Sequence, residues 1–189
     1  MRRLVPLLLL VVAAAAAAEP VVYRLDPEAS YVHFEVLHFG TSTLRGRFGP
    51  VQGQVTLDRE AGSGQVALTV AVASLSTGLK VLDNRLRERD LLNTDAFPEA
   101  TFAARSFRFD NGQPVELRGD LTVRGIATGL TLKALHFACR QPPEVPREVC
   151  GGDFEGFVQR SEFGAGYLAP FVSDKVRLLV QVEGERVGP

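Results

Sequence analysis

Tryptophan is absent from this chain, cysteine occurs twice, and the single methionine is Met1. Two cysteines in 189 residues exclude a disulfide-dense scaffold, in which several bridges stand in for a core. An excess of one charge is also lacking. Lys and Arg total 21 against 22 Asp and Glu, for a net charge of −1 that becomes −3 if Arg2 and Arg3 leave with a leader. Without a basic surplus, nucleic acid is not an expected partner. Beyond the N-terminus, no apolar run approaches the roughly 20 residues of a membrane-spanning helix. The chain contains no GxSxG elbow, no HExxH and no glycine-rich phosphate loop. No catalytic set assembles, which argues against an enzyme.

The start of the chain sets the compartment. Arg2 and Arg3 precede an apolar run, Leu4 to Val12, broken only by Pro6, and Ala16-Ala17-Ala18 supplies small residues before Glu19. This is the layout of a secretory signal peptide over residues 1–18. A retained anchor is the weaker reading, because no stop-transfer flank follows Ala18. No cysteine stands at the cleavage point for a lipid anchor. Residues 19–189 are then one exported domain, periplasmic or extracellular, long enough for a substantial core. Cys139 and Cys150 flank a loop carrying Pro142, Pro143 and Pro146. An oxidising compartment and a short loop favour a disulfide between them. A redox or metal pair is the alternative, but there is no CxxC.

From Val21 onward the dominant period is two. Val51, Val55 and Leu57 alternate with Gln52, Gln54 and Thr56; Val66, Leu68 and Val70 alternate with Ala67 and Thr69; Val176, Leu178, Val180 and Val182 continue the pattern. Strict alternation puts one face on a core and the other toward solvent. Further strands are expected at 21–25, 31–39, 43–48, 100–109, 115–123, 130–139 and 154–160. Asp26-Pro27, Gly49-Pro50, Asn111-Gly112 and Gly151-Gly152 punctuate them, and Asn111-Gly112 is a strong hairpin signal. The reading is all-β: an extended antiparallel barrel of about eight strands. Residues 79–92 break the rule and predict one inserted helix, with Leu79, Leu82 and Leu86 on one face and Asp83 and Arg87 on another. Ser76 or Thr77 would cap its start and Asn93 its end. Such a helix could cover an opening or plug a side. Residues 31–39 are apolar on both parities, which a covering helix would also explain.

The three histidines do not form a simple metal site. His33 and His38 are five apart and face opposite sides of an undistorted strand, and His38 meets His136 only if their strands are neighbours. Ser161-Glu162-Phe163-Gly164 reads as a polar turn, and Asp90, Asp95 and Glu99 as a solvated loop. A barrel of this size either fills its interior or leaves room for one ligand.

The order and spacing of several phrases are more specific. They are Leu25-Asp26-Pro27, Val32-His33-Phe34-Glu35-Val36, His38-Phe39-Gly40, Leu82-Asp83, Leu86-Arg87, Asp90-Leu91-Leu92-Asn93, Phe97-Pro98-Glu99-Ala100-Thr101-Phe102, Gly119-Asp120-Leu121-Thr122-Val123-Arg124-Gly125 and Arg160-Ser161-Glu162-Phe163-Gly164. In these the chain resembles the YceI-like family of secreted, lipocalin-like polyisoprenoid-binding proteins. The resemblance implies a lipocalin-like barrel with an apolar tunnel for a long isoprenoid chain, of the polyprenyl phosphate or isoprenoid quinone type. No other cofactor or metal is expected, and a homodimer stays open. Apolar bulk within these matching segments makes Phe34, Val36, Leu91, Phe97, Phe102, Leu121 and Phe163 the candidates for lining the tunnel, with His38, Arg85 and Arg87 the candidates for a polar end. A continuous apolar channel suits such a cargo, since each buried CH₂ contributes roughly 0.8 kcal/mol. Arg85 stands where family members often carry histidine, Gly129 where they often carry proline, and Glu162 where they often carry aspartate. Two other readings compete. One is an enzyme on a prenyl or quinone substrate, which His38 facing inward beside a second titratable group would favour. The other is an envelope or stress interaction protein with a filled barrel.

Overall fold

The computed structural model describes residues 19–188; the leader expected at residues 1–18 lies outside them. Ten strands follow in chain order: β1 (Val21–Leu25), β2 (Tyr31–His38), β3 (Ser42–Phe48), β4 (Val51–Asp58), β5 (Ser63–Ala71), β6 (Glu99–Asp110), β7 (Gln113–Val123), β8 (Ile126–Arg140), β9 (Val149–Gln159) and β10 (Val172–Arg186). One helix, α1 (Lys80–Arg87), stands between β5 and β6. Eight strands close an antiparallel barrel in the order β1-β4-β5-β6-β7-β8-β9-β10, with β1 and β10 completing the ring.

The two additional strands arise from a split edge. β10 is 15 residues long and meets two strands in turn: Leu25 lies opposite Gly184, and Tyr31 opposite Gln181. Between them, Pro27 offers no amide to a ladder and fixes φ, and the Asp26 carboxylate accepts the Glu28 amide at 2.8 Å, so the chain turns. Past this break β2 replaces β1 and carries β3 with it. β3 then meets the segment after β5 through a single bridge, Arg47 opposite Ser76, whose two amide–carbonyl bonds measure 2.9 Å each. The barrel therefore has a fully laddered narrow end and a wide end whose wall rests at one point on a single bridge.

Alternation packs the middle and the narrow end. Val66, Phe102, Ala104, Leu117, Leu130, Leu132, Phe154 and Val180 form one buried cluster; Tyr23, Leu57 and Cys150 form another beside Phe107, Phe109 and Phe137. Each large side chain so buried stabilises the fold by about 1.5–3 kcal/mol. Cys139 and Cys150 face each other across β8 and β9 and are disulfide-bonded. Beside them the Tyr23 hydroxyl donates to Glu148 at 2.6 Å, and Arg59 donates to Glu148 at 2.6 Å. Burial pushes the Glu148 carboxyl up, but these two donors outweigh it and hold it below the ordinary carboxylate range. Burial, with the Glu148 bond, pushes the Tyr23 hydroxyl up.

The helix is shorter than its sequence pattern. It ends at Arg87, and the Leu92 amide turns back to the Leu86 carbonyl while those of Asn93 and Thr94 reach Glu88 and Arg87. Asn93 takes a positive φ of 49°, but well past the helix rather than at its end. The capping is also reversed in sense: the buried Asp83 carboxylate accepts the amide and the hydroxyl of Thr77, each at 2.7 Å. Those bonds, the hydroxyl's first, hold Asp83 below its ordinary value. Leu79 stays exposed, whereas Leu82 and Leu86 face the barrel's wide end. The outer face of β2 is not covered by the helix, since Leu37 is exposed and Glu35 pairs with Arg45 and Arg177 across the strands.

Candidate functional site: an apolar cavity at the wide end

The wide end encloses a cavity of about 300 Å³. Strands supply most of its wall: Val32, Phe34, Val36 and His38 from β2, Leu121 and Val123 from β7, Val158 from β9, and Val172, Val176 and Leu178 from β10. Leu82 and Leu86 of α1, with Leu91 and Leu92 beyond it, close the side where β3 meets its neighbour through one bridge. The inserted helix thus seals an opening. A smaller apolar cavity of about 60 Å³ follows toward the narrow end, lined by Phe102, Phe154, Val180 and Val182 among others. On β10 the split falls between Leu178 and Val180, so the two cavities succeed one another along the strand.

Close packing normally leaves few voids larger than a water. A wholly apolar void about half this size stays dry and takes up a hydrophobic guest. Small-molecule sites begin at about this volume. Gly46 on β3 is one reason the wall fits: a Cβ there would meet the Phe34 ring at 2.5 Å and drive it inward.

Polar groups gather at the mouth and are already engaged. The Arg85 guanidinium donates twice to Asp90, at 2.7 Å each, and to Glu88 at 3.0 Å, and lies 4.7 Å over the Tyr167 ring. Asp90 chiefly raises the Arg85 pKa above the ordinary arginine value and is itself held low by that pair. Arg160 donates to the carbonyls of Ser173, Ala165, Tyr167 and Val172. Burial pushes its guanidinium down from the ordinary arginine value, with Asp174 opposing. His38 lines the cavity with its ring edge-on to Phe39 at 4.6 Å. Among the described residues every buried side-chain nitrogen and oxygen has a partner.

Seven of the ten residues singled out from sequence come together here: Phe34, Val36, His38, Arg85, Leu91, Leu121 and Phe163. Phe102 lies in the adjoining smaller cavity. Phe97 sits under the Arg124 guanidinium at 6.0 Å, over Gly125, outside both cavities. Arg87 turns away to the carbonyls of Ala73 and Leu75. Sequence reading missed Arg160, Tyr167 and Leu168. Arg160 stands at the end of the strand expected at 154–160, just before the Ser161–Gly164 turn, and residues 164–171 have no periodicity to follow. His38 and His136 do not meet, because β2 and β8 are not neighbours. One group among the described residues has metal-ligand spacing, Cys139, Glu148 and Cys150, but its sulfurs are bonded to each other and its carboxylate is held by Tyr23 and Arg59.

The YceI-like domain family matches residues 23–184. Protein YceI of Shigella flexneri is 31% identical over 165 residues, covering 86% of this chain and 85% of that relative, and protein YceI of Escherichia coli O157:H7 matches over the same shares. Burkholderia cenocepacia BcnA superposes with a TM-score of 0.69 at 22% identity, over 84% of this chain and 98% of that one. A polyisoprenoid-binding domain from Saccharophagus degradans, implicated in plant cell wall breakdown, gives 0.58 at 18% identity, over 87% and 98%. These two likenesses concern the fold.

Proposed function

The chain belongs to the YceI-like family, and on that premise we propose that it is an exported binding protein holding the chain of an isoprenoid lipid in its wide-end cavity, for transport, storage or sequestration. The observation that carries the reading is the cavity of about 300 Å³ and its predominantly apolar wall. Phe34, Val36, Leu91, Leu121 and Phe163 would contact the chain, with His38 and Arg85 near its head. Phe102 would meet only a chain long enough to pass into the smaller cavity. The similarity to a domain named for polyisoprenoid binding supports the same class of cargo. The disulfide fits an oxidising compartment, and among the described residues no helix is long and apolar enough to cross a membrane.

The mouth favours a neutral head over a phosphate. Arg85 is neutralised by Asp90 and Glu88, and Arg160 is committed to four carbonyls, so a phosphate would have to displace existing partners. Binding is also favoured over catalysis. His38 faces inward, but the other titratable groups of the wall, Arg85, Arg160 and Tyr167, are engaged, and among the described residues no carboxylate or thiol lines the cavity. The test is native mass spectrometry of the mature protein from its own host, with organic extraction of the same sample. A stoichiometric isoprenoid or quinone is expected. An unliganded mass that stays unchanged after incubation with prenyl lipids would defeat the proposal.

A further inference from the structure

Two loop tips beside the cavity mouth carry exposed apolar side chains. Phe39 follows β2 directly after His38, and Phe171 precedes β10 directly before Val172, so each neighbours a residue of the cavity wall. The Phe39 amide donates to the Phe171 carbonyl at 2.8 Å, their rings stack at 6.5 Å, and they are 53% and 65% exposed. Tyr167 and Leu168, which line the mouth, are also exposed on their outer sides. Phe39 and Leu168 take φ values of +51° and +62°, a region that bulky residues rarely enter. Such a backbone persists only where the surrounding structure imposes it, so the two bulky side chains are held out at their turns rather than folded back.

Charge is missing from the same two tips. In a chain with 23% charged residues, neither Leu37 to Leu44 nor Gly164 to Ser173 contains Asp, Glu, Lys or Arg. Both tips can therefore enter an apolar phase without the large desolvation penalty that a charged side chain would bring. The exposed parts of Phe39, Tyr167, Leu168 and Phe171 amount to roughly 400 Å², about half of the 800 Å² per partner of an ordinary protein interface. That area is small for a second copy of this chain and ample for shallow insertion into a bilayer, where aromatic side chains favour the interface.

We infer that these two tips dock the mouth onto a lipid bilayer, so that cargo passes between membrane and cavity without crossing water. The inference rests on the cavity holding a lipid. The Phe39–Phe171 pair inserts, and Leu168 and Tyr167 connect the membrane interior to the wall.

The test compares the mature chain with the F39N/F171S double variant. Asparagine tolerates positive φ, and neither residue lines the cavity, so the variant keeps its fold and its capacity. Leu135→Ser, at an exposed leucine on the outer wall of β8, is the matched control. Three quantities are read: co-flotation with vesicles of phosphatidylethanolamine and phosphatidylglycerol, the rate at which ubiquinone moves from those vesicles to the protein, and uptake of ubiquinone added from ethanol. The double variant is expected to lose on the order of a hundredfold in vesicle partitioning. Its transfer rate falls in parallel, its ethanol-delivered uptake is unchanged, and the control behaves as the parent. Salt should alter the flotation little, because no charge drives it. Docking is overturned if the parent chain does not float, if the double variant floats equally well, or if sedimentation shows instead a dimer that the variant abolishes. A parent that floats through Phe39 and Phe171 yet takes up no prenyl lipid by either route keeps the docking surface and removes the carrier reading.

Discussion

Ala100 and Ala104 stand on one strand, β6, four residues apart and therefore on the same inward face. Both are buried, yet Ala100 lines the large cavity and Ala104 belongs to the packed cluster. Phenylalanine in place of each should separate stability from binding. At Ala100 the new ring enters a space of about 300 Å³, so it needs no rearrangement of the wall, and the strand prefers an aromatic. Its unfolding free energy should hold or rise, because a buried phenylalanine gains about 1.5–3 kcal/mol over an exposed one. Ala104 is buried in the cluster and lines neither cavity, so overpacking there should destabilise by about 1–3 kcal/mol or more. The ring at Ala100 takes room from the cargo. Excluding about four methylene equivalents removes on the order of 3 kcal/mol of binding, or roughly a hundredfold in Kd. Urea denaturation of both variants and titration with a prenyl quinone measure the two effects. Equal destabilisation at the two sites would show that the cavity is not open space. Full stability of Ala100→Phe with unaltered affinity would show that the cargo lies elsewhere.

Asp90→Asn removes the bidentate partner of Arg85; affinity for a prenyl phosphate should rise by about tenfold relative to a prenyl quinone, read by competition binding, and an unchanged ratio would mean that Arg85 does not sense the head. The C139A/C150A double variant should lose about 3 kcal/mol by the chain-entropy estimate for this loop while keeping its cargo, since the disulfide sits at the narrow end; denaturation and binding measured together would expose any coupling between the two ends. Glu35, Asp83, Asp90 and Glu148 all titrate below their ordinary values in the fold. A depressed carboxyl gives stability that is complete above its unfolded value and is lost as pH falls through its folded one. The Tm should therefore be insensitive to these groups above about pH 5 and decline as pH drops below the ordinary carboxylate range; a Tm that rises on acidification would contradict the ion pairs described.

The barrel was legible from period-two alternation and from turns whose chemistry is local. Asn111 and Gly112 both take positive φ, 50° and 73°, and join β6 to β7 as the dipeptide suggests. Arg124-Gly125 makes a turn of the same kind, at 53° and 72°, but arginine does not announce one, and β8 accordingly starts at Ile126 rather than at the expected residue 130. Its guanidinium, bonded to the Arg89 and Leu91 carbonyls, holds it there, a contact across more than thirty positions that no local window contains. The cavity was equally hidden. Phe102 and Leu121 are directly opposed on β6 and β7, yet one lines the small cavity and the other the large one. Alternation says which side chains point inward. Whether they meet a partner depends on the replacement of β1 by β2 along β10, which is set by the turn at Asp26-Pro27.

That replacement also explains the arginines. Where the ladder gives way to irregular backbone, at residues 72–98 and 160–172, carbonyl groups lose their strand partners and must find other donors. Arg87 supplies Ala73 and Leu75, Arg124 supplies Arg89 and Leu91, and Arg160 supplies Ala165 and Tyr167 of its own loop and Val172 and Ser173 at the start of β10. A guanidinium suits the task because its donors are fixed in one plane and its charge persists at any working pH. Cations that look in sequence like a headgroup site are therefore largely structural, holding the mouth in shape. Arg85 differs from these three in being held by side-chain carboxylates, Asp90 and Glu88, so on the carrier reading it is the cation of the mouth that a substitution at Asp90 partly releases.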